Sequence, residues 1–472
     1  MDFGLFVGGS FRDSARKREI RVPYDGSVFA RVALGDADVL QQAVAAARSG
    51  FAQMRVLTRA RRAEILLEVR RRLLEEAGHF ARVIASESGK PLREARLEVQ
   101  RGASTLLFSA NEALSLAGEE VPMDASAHGA GRMAMVVREP LGVIAAITPF
   151  NFPLNLSLHK IGPALAAGNA VVHKPASATP VSALELARLF AEAGLPAGAL
   201  NVVPGPGAEL GEALALDPAV AMVTFTGSPE VGVRLREIAG LKRVTLELGS
   251  NSAVIVESDA DLDLAVPLCV SGAFAHSGQV CISVQRIFVQ RDVLGSFLER
   301  VVDGAVAMQR GHPLEEETAV SSLISEAEAV RVEDWLEEAV FAGGRLVAGG
   351  ERDGTRMAPA VVAEAPAATR LMAREAFGPV VAVNGYSTLD EAIAMVNASD
   401  YGLQASIFTR DIGKAFRAAR AVEVGGFLIN DVPQFRADQM PYGGVKLSGT
   451  GREGPHYAIE EMTERKLIVW RV

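Results

Sequence analysis

Short apolar runs alternate with helical segments through the middle of this chain, and this alternation restricts the possible folds more than any other feature. Five runs are typical of buried strands: LGVIAAI (141–147), AVVH (170–173), LNVV (200–203), VAMVTF (220–225) and RVTLEL (243–248). Strands that are apolar on both faces and joined by helices favour a parallel sheet covered on both sides. The sequence therefore predicts an α/β fold.

The flanking segments extend this pattern in both directions. Residues 55–116 have helical spacing with a break at 89–91, and a second α/β stretch runs from Ser252 to Asn430. Two alternating stretches around 128–131 predict a hairpin. The last segment, KLIVWRV (466–472), is a bare apolar strand that needs a partner, and we expect it to pair with another subunit.

One helix of the middle region has clear end signals. After the second apolar run, Thr179 is placed to cap a helix, Pro180 suits its first turn and Gly194 suits its end. These signals predict a helix between the second and third strands of the sheet.

Size, charge and cysteine content exclude several classes of protein. A chain of 472 residues is long enough for about three packed units. Its net charge of −9 disfavours binding to nucleic acid, and no apolar run approaches the roughly 18 residues of a membrane helix. Cys269 and Cys281 form no Cys-x-x-Cys pair and no His-Glu-x-x-His spacing occurs, so we expect no metal site. Because nothing at the start resembles a signal peptide, we expect a cytoplasmic location.

Two glycine-rich turns follow predicted strands of the sheet. One spans GPGAELG (205–211) and the other FTGSPEVG (225–232). In the second, Ser228 can cap a helix that begins at Pro229, which leaves backbone N–H groups free to bind an anion. A tight strand-to-helix connection also explains each turn without a ligand. Because both turns lie at the carboxyl ends of parallel strands, where open α/β sheets bind ligands, we favour a dinucleotide site.

Three further residues carry groups that can do chemistry. Cys281 lies in a loop with polar neighbours, which favours a nucleophilic thiol, whereas Cys269 lies in an apolar segment and is interpreted as a small buried residue. Glu247 ends a predicted strand, where its carboxylate can face the crevice as a base or form a surface salt bridge. Asn151 lies between two prolines, and its amide can donate to an oxyanion or merely close the turn.

Seven motifs occur in a fixed order along the chain. They are Pro149-Phe150-Asn151-Phe152-Pro153, Lys174-Pro175, Phe225-Thr226-Gly227-Ser228, Glu247-Leu248-Gly249, Gly278-Gln279-Val280-Cys281, Glu375-Ala376-Phe377-Gly378-Pro379 and Met440-Pro441-Tyr442-Gly443-Gly444-Val445-Lys446. Together they resemble the aldehyde dehydrogenase superfamily over nearly the whole chain. The resemblance implies a Rossmann-like cofactor domain (1–118 and 139–248), an α/β catalytic domain (249–452) and a small β oligomerisation arm (119–138 and 453–472). Such an arm implies a homodimer or homotetramer.

The resemblance also implies a role for each candidate residue. Cys281 is the nucleophile that attacks an aldehyde, and Asn151 and the Cys281 backbone N–H hold the oxyanion. Glu247 activates the water that releases the carboxylic acid. A thiol suits the first role because it is appreciably ionised near neutral pH, with a free pKa of about 8.5.

A nicotinamide dinucleotide, NAD or NADP, is the cofactor that the resemblance implies. Lys174 matches a lysine at the adenosine ribose, Ser228 a serine at the pyrophosphate, and Glu375 a glutamate at the nicotinamide ribose with Phe377 beside the ring. The other expected cofactor-binding positions are Thr148, Pro149, Ser177, Gly207, Gly211, Phe225, Thr226, Gly227, Glu247, Leu248 and Gly249.

Ser177 departs from the pattern of NAD-preferring relatives, which often carry Glu at this position. A carboxylate there accepts from both ribose hydroxyls and repels a 2′-phosphate. A neutral Ser removes that repulsion, so we expect NADP to be tolerated.

A second departure concerns the substrate. Ser250-Asn251 follows the Glu247-Leu248-Gly249 motif, where much of the family continues with Gly-Lys. Together with segments 280–283 and 435–438, this variant resembles a branch that acts on lactaldehyde or phosphonoacetaldehyde. The resemblance implies a small polar or anionic aldehyde as the substrate.

Three residues are candidates for contact with that aldehyde. Asn151 belongs to the expected oxyanion site. Arg436 can meet an anionic substrate or form a surface ion pair with Asp438. His159 can line the substrate tunnel or pack within a helix.

Two other classes of protein compete with a hydrolytic dehydrogenase. In a CoA-acylating dehydrogenase, CoA takes the acyl group in place of water, and such relatives usually lack the glutamate base, so Glu247 argues against this class. A non-catalytic binding paralogue is expected to have lost the thiol or the oxyanion donor, yet Cys281 and Asn151 are both present. The leading interpretation is therefore a hydrolytic aldehyde dehydrogenase.

Overall fold

Helices and strands alternate along the whole chain in a computed structural model that describes residues 1–472. The helices are α1 (Ala37–Met54), α2 (Arg59–Glu75), α3 (Ala77–Ser88), α4 (Leu92–Ser115), α5 (Asn155–Ala167), α6 (Val181–Glu192), α7 (Gly207–Leu216), α8 (Pro229–Ile238), α9 (Leu262–Phe274), α10 (Arg291–Val306), α11 (Glu326–Phe341), α12 (Arg370–Ala373), α13 (Leu389–Asn397), α14 (Ile412–Ala421) and α15 (Pro455–Glu461). The strands are β1 (Asp2–Phe3), β2 (Leu5–Val7), β3 (Ser10–Arg12), β4 (Lys17–Arg21), β5 (Val28–Ala33), β6 (Glu119–Val121), β7 (Arg132–Pro140), β8 (Val143–Ile147), β9 (Ala170–Lys174), β10 (Leu200–Val202), β11 (Val220–Thr226), β12 (Arg243–Glu247), β13 (Ala253–Val256), β14 (Arg286–Gln290), β15 (Arg345–Ala348), β16 (Arg352–Asp353), β17 (Arg356–Met357), β18 (Ala360–Ala363), β19 (Val380–Tyr386), β20 (Tyr401–Gly402), β21 (Gln404–Phe408), β22 (Gly426–Ile429), β23 (Val445–Lys446), β24 (Gly449–Thr450) and β25 (Thr463–Arg471). Two short 3-10 helices span Met123–Ala125 and Ala275–Gly278.

The five predicted apolar runs form the centre of an eight-stranded sheet with the order β24-β12-β11-β8-β9-β10-β2-β3. Strands β8 to β12 are parallel, whereas β24, β2 and β3 pair antiparallel at the two edges. The strand order reverses between β8 and β11, so the connections leave these two neighbours in opposite directions. Such a switch point opens a crevice at the carboxyl ends, where α/β sheets bind ligands. The residues after Ile147 and Thr226 border that crevice.

The second α/β stretch forms a seven-stranded sheet with the order β15-β18-β19-β14-β13-β21-β22. All neighbours are parallel except β15 and β18. Strand β24 comes from the segment assigned to the catalytic domain, yet it pairs with β12 at the edge of the first sheet. The boundaries of the three expected units stay a prediction, and β24 shows that the chain crosses between the two large sheets.

The chain's last strand has a partner within the same chain. Strand β25 pairs antiparallel with β7 from Thr463–Pro140 to Arg471–Arg132, and β7 pairs with β6 as the predicted hairpin. We expected the terminal strand to pair with another subunit. For the edge that faces β7 this expectation was wrong. The outer edge of β25 is free, and its apolar side chains at 467–470 are exposed.

Helix α6 forms as predicted, but its cap differs. Thr179 accepts no hydrogen bond from the helix; instead, the Glu87 carboxylate at the end of α3 accepts from the backbone N–H groups of Val181 and Ser182, at 2.7 and 3.1 Å. The N-terminal N–H groups of a helix are unsatisfied within the helix itself, and a buried end needs partners for them. The partner here comes from a distant helix, so neighbouring residues gave no indication of it.

Helix α5 follows the segment that contains Asn151, and all thirteen of its residues are buried. At its start, Glu98 of α4 accepts from the backbone N–H groups of Leu154 and Asn155, at 3.0 and 3.1 Å. The same carboxylate forms an ion pair with Lys90, and both side chains are completely buried. This pair fixes the beginning of α5 and thereby the turn before it. None of the helices is long and apolar enough to cross a bilayer.

We predict that Glu98→Gln destabilises the protein. The amide leaves Lys90 buried without its ion-pair partner, and breaking a buried pair from one side typically costs about 3–5 kcal/mol. A lower melting temperature in differential scanning fluorimetry would be the readout. The matched control is Glu316→Gln, which breaks the exposed Arg96–Glu316 pair and should cost under about 1 kcal/mol. Equal shifts in the two variants would contradict the prediction.

Candidate active site

A cavity of about 440 Å³ leads to the predicted nucleophile. Its walls come from α4, the 151–156 segment, α9, the loop after the second 3-10 helix, and residues 431–442. The lining residues are Arg93, Glu94, Leu97, Glu98, Arg101, Phe152, Asn155, Leu156, Leu268, Ser271, Ala275, Val280, Cys281, Ile282, Asp431, Val432, Gln434, Phe435, Arg436 and Tyr442. This size suits a small molecule.

Cys281 reaches the cavity from a tight loop. Gly278 has a φ of +72°, and a Cβ there would lie 1.9 Å from the backbone oxygen of Gly378, so only glycine fits. The Cys281 Sγ lies 2.9 Å from the Tyr442 hydroxyl. Burial raises the pKa of Cys281 to about 12, and the Tyr442 hydrogen bond opposes that shift. The thiol is therefore protonated at rest and needs a base. Cys269, in contrast, is completely buried in α9, as predicted.

Asn151 lies beside the cysteine loop. Its Nδ2 donates to the backbone oxygen of Gln279 at 2.9 Å, and its Oδ1 is buried without a partner. The amide thus contacts the backbone two positions before Cys281. Its second N–H is not used in that hydrogen bond. A side-chain amide in this position can donate to a developing oxyanion.

Glu247 is the last residue of β12, and it is buried, which excludes the alternative of a surface salt bridge. Neither carboxylate oxygen has a hydrogen-bond partner. Burial, followed by the negative charge of Glu453, raises the pKa of Glu247 well above its usual range. The charge of Glu247 in turn contributes to the raised pKa of Cys281. A buried carboxylate with a raised pKa is suited to proton transfer near neutral pH.

Glu453 is the charged group that most influences Glu247. It accepts from Lys160 at 2.8 Å and from Arg436 at 2.9 Å. Although burial opposes the effect, these two cations hold the pKa of Glu453 below its usual range. Of the two neighbouring carboxylates, Glu453 therefore carries the charge and Glu247 is the one that protonates first.

The glycine-rich turns present open helix ends. Ser228 caps α8 by accepting from Val231 N, with Pro229 in the first turn, as predicted. Helix α7 begins at Gly207 without any side-chain cap, and a Cβ on Gly207 would meet no atom within 4 Å. Free N–H groups beside open space are typical of an anion site.

Two loops that border the crevice are tied together by Ser177. Its hydroxyl donates to the backbone oxygen of Gly205 at 2.6 Å. Burial lowers the pKa of Lys174 to about 8, and its Nζ donates to the backbone oxygen of Pro175 at 3.1 Å. Thr148 lies at the end of β8, with its hydroxyl 3.0 Å from His173 Nε2, and Pro149 follows it.

Glu375 and Phe377 come from the second sheet's side of the crevice. Ser250 N donates to Glu375 Oε1 at 2.9 Å, and a Cβ on Gly249 would lie 2.5 Å from Oε2 of the same carboxylate. Phe377 packs edge-on against Phe150, with ring centres 5.8 Å apart. Thr226 Oγ1 is buried without a partner. Open helix ends, an unpartnered hydroxyl and a glycine-lined carboxylate fit a nicotinamide dinucleotide.

The remaining cofactor positions lie on the same side of the molecule. Phe225 and Thr226 end β11 and Gly227 follows it, whereas Leu248 follows β12 and packs against Gly232 of α8. Gly211 lies in α7. No cluster of three or more His, Cys, Asp or Glu side chains is arranged to hold a metal ion.

Of the candidates for contact with the substrate, His159 needs correction, and for Arg436 only the expected ion pair does. His159 does not line the cavity: it is buried in α5, with Nε2 3.0 Å from Asp438 Oδ1, as the packed-helix alternative expected. Burial lowers the pKa of His159 to about 4, so the ring is neutral near pH 7. Arg436 does line the cavity, but its ion pair is with Glu453, and its side chain is only 5% exposed. The expectation that Arg436 forms a surface ion pair with Asp438 was wrong.

The sequence reasoning assigned no role to Tyr442 and Arg101. Tyr442 belongs to one of the motifs, and its contact with the Cys281 thiol arises only when the chain folds. Arg101 lies among many arginines on the early helices, and nothing in that pattern marks it as facing a cavity.

We predict that Tyr442→Phe raises the pKa of Cys281 further. A thiolate has no proton to donate, so Tyr442 must donate to the ionised form, and removing the hydroxyl destabilises that form. Because Cys269 is buried, alkylation by iodoacetamide reports on Cys281. One pKa unit corresponds to about ten-fold slower alkylation at neutral pH. Tyr457→Phe, which does not line the cavity, is the control; an unchanged pH profile in Tyr442→Phe would contradict the prediction.

Comparison with known proteins gives matches over the whole chain. The sequence profile of the aldehyde dehydrogenase family matches residues 11–468. The 3-sulfolactaldehyde dehydrogenase of Priestia aryabhattai is 47% identical over 467 residues, which cover 99% of this chain and 98% of that protein. The lactaldehyde dehydrogenase of Methanococcus aeolicus is 37% identical over 98% of this chain and 99% of its own.

A solved structure shares the fold. The glyceraldehyde-3-phosphate dehydrogenase of Methanocaldococcus jannaschii, complexed with NADP, matches with a TM-score of 0.94 and 37% sequence identity. The match covers 97% of this chain and 100% of that one. It confirms the predicted α/β fold class and, with the sequence matches, the resemblance read from the motifs. The chain is a member of the aldehyde dehydrogenase family.

Proposed function

We propose that the protein oxidises a small polar or anionic aldehyde to its carboxylic acid with NAD+ or NADP+, using water as the acyl acceptor. The observation that carries the proposal is Glu247, a buried carboxylate with no partner whose charge acts on the thiol of Cys281. A base in that position is what hydrolysis of a thioester requires. Its presence favours water over CoA as the acceptor.

The first step is addition of Cys281 to the aldehyde. Glu247 takes the thiol proton, since burial places the pKa of the thiol near 12 and the raised pKa of Glu247 makes it a stronger base than an ordinary carboxylate. The Sγ–carbon bond forms as the carbonyl π bond breaks. The resulting oxyanion accepts from the Asn151 amide and from the Cys281 backbone N–H.

The cofactor supplies one piece of chemistry when bound: it accepts a hydride from the thiohemiacetal carbon, which leaves a thioester on Cys281. The chain's own residues bind and orient it. The N-terminus of α8 with Ser228 suits the pyrophosphate, Lys174 and Ser177 the adenosine ribose, and Glu375 the nicotinamide ribose. The relative of known structure binds NADP.

Hydrolysis of the thioester completes the reaction. Glu247 first releases the thiol proton to solvent and then removes a proton from a water molecule, whose oxygen bonds to the acyl carbon. The carbon–sulfur bond then breaks, the Cys281 thiolate leaves, and a proton returns to it. The products are a carboxylic acid and the resting enzyme.

The relatives' names bear on the substrate. Sulfolactaldehyde, lactaldehyde and glyceraldehyde-3-phosphate are small polar aldehydes, and two of the three carry an anionic group. The modest cavity beside Cys281 supports a substrate of that size. The free apolar edge of β25 supports a homodimer or homotetramer, since an unpaired edge of this kind favours pairing with another chain.

Absorbance at 340 nm, the band of the reduced nicotinamide, tests the proposal with a panel of short aldehydes, both cofactors, and assays with and without CoA. We expect turnover without CoA in the wild type and a loss of at least about 1,000-fold in Cys281→Ala, as for other nucleophile deletions. Cys269→Ala is the matched control. A requirement for CoA would mean that Glu247 is misassigned, and silence with every aldehyde would favour the binding paralogue.

Glu247→Gln separates the two halves of the reaction. The amide cannot accept the proton of water, so the thioester should accumulate after one equivalent of reduced cofactor per subunit at high pH, where the thiol ionises without help. Denatured-protein mass spectrometry would detect the added acyl group. Multiple turnovers at the wild-type rate would contradict the assigned role.

Ser177→Glu should shift cofactor preference toward NAD. The new carboxylate would accept from the ribose hydroxyls and repel a 2′-phosphate through like charge. We expect kcat/KM with NADP to fall at least about ten-fold, corresponding to about 1.4 kcal/mol, while NAD is retained. Ser177→Gln, equal in length but uncharged, is the control. Strict use of NAD by the wild type would contradict the premise.

A further inference from the structure

Two arginines line the cavity together with Cys281. The side chain of Arg436 is only 5% exposed, and its Nε has no hydrogen-bond partner. Arg101, on α4, is 29% exposed, and its Nε is also buried without a partner. A guanidinium has five N–H donors and is always charged, so a buried donor without an acceptor carries a desolvation cost. Both guanidinium groups therefore line the cavity with one N–H each that has no acceptor within the protein.

Each arginine is held in place by a carboxylate that is itself held by α5. Arg101 Nη2 donates to Asp438 at 3.0 Å, and His159 lies 3.0 Å from the same oxygen. In parallel, Arg436 and Lys160 share Glu453.

The ion pairs of the two arginines leave an excess of positive charge at the cavity. His159 is neutral, so Arg101 and Asp438 balance each other. Lys160 and Arg436, in contrast, are two cations that share the one carboxylate of Glu453. The group of Lys160, Arg436 and Glu453 therefore carries one excess positive charge.

Acidic residues at the cavity do not cancel this excess. Glu98 is already matched by Lys90 and by two backbone N–H groups at the start of α5. Burial raises the pKa of Glu94 to about 7, which reduces its charge. Asp431 is half-buried, and its carboxylate accepts from Val432 N at 2.7 Å. The exposed Arg93 on the lining also opposes these acids.

The ring of Tyr442 connects the charged wall to the nucleophile. The Arg436 guanidinium lies 3.7 Å from the centre of the ring, and the hydroxyl of the same residue contacts Cys281. A short molecule can therefore place its carbonyl carbon at the Cys281 thiol and its other end at the Arg436 guanidinium.

We propose that Arg101 and Arg436 form a binding site for an anionic head group, and that the protein's substrate is a short aldehyde with a carboxylate, sulfonate or phosphonate at its far end. This inference rests on the proposed function, because it concerns the same cavity. Charge-assisted hydrogen bonds from the two guanidinium groups would hold the head group and fix the carbonyl at Cys281. Arg101, which no sequence motif marks, becomes a specificity-determining residue.

A matched pair of aldehydes tests the proposal: 4-oxobutanoate and its uncharged analogue 4-oxobutanamide. We expect the wild type to favour the carboxylate in kcat/KM, and Arg101→Gln to lower that preference roughly 10- to 100-fold, the range expected for hydrogen bonds to charged groups. The amide, which reports on folding and chemistry, should lose far less. Arg96→Gln removes one charge from the outer face of the same helix and should keep the wild-type preference.

Arg436→Lys provides a second variant that keeps the buried charge beside Glu453 but removes the planar fork. It should also lower the preference for the carboxylate. Values of kcat/KM for sulfolactaldehyde, compared with those for lactaldehyde, and for phosphonoacetaldehyde show which anionic head group is preferred. Equal use of carboxylate and amide by the wild type, or an unchanged preference in both arginine variants, would overturn the inference while leaving the dehydrogenase activity established. A wild type inactive on every aldehyde would overturn the proposed function and this inference with it.

Discussion

Helix α5 is the buried element on which the rest of the site depends. Its start is fixed by Glu98, whose charge is matched by the buried Lys90, and the same contact positions the turn that carries Asn151. Two adjacent residues further along the helix, His159 and Lys160, contact the acids that hold Arg101 and Arg436. Since charges in a dry interior tolerate little displacement without losing their partners, this network keeps the cavity walls in one arrangement.

The same low-polarity environment raises the pKa of both reactive groups, with different consequences for each. Burial raises the pKa of both Cys281 and Glu247, so the thiol is kept neutral while the carboxylate becomes a stronger base. Lys160 and Arg436 stabilise the charge of Glu453, which in turn discourages a second charge on Glu247. One carboxylate is therefore fixed as a counter-ion and the other is left free to exchange protons. The division of labour follows from which of the two acids has cationic neighbours.

The sequence predicted the architecture well where the signal was local. Near-continuous apolar runs gave the parallel strands of the first sheet, because strands covered on both faces need apolar side chains throughout. Ser228 capped α8 as expected, since cap and helix are adjacent in the chain. Thr179 failed as a cap because Glu87, distant in sequence, occupies the start of α6. The terminal strand found its partner in β7, a pairing that local patterns do not encode.

What the sequence by itself determined is the inventory: an α/β chain of the aldehyde dehydrogenase family, with a thiol, an amide and a carboxylate in recognisable motifs. Only the tertiary structure decided which of these groups is buried, which is paired and which is free. Arg436 was expected to meet either a substrate or Asp438, and the ion pair that it forms is with Glu453. His159 packs inside the protein against Asp438 and does not line the cavity. The physical reason is that pairing and pKa depend on contacts between residues far apart in the chain, and a linear pattern contains no distances.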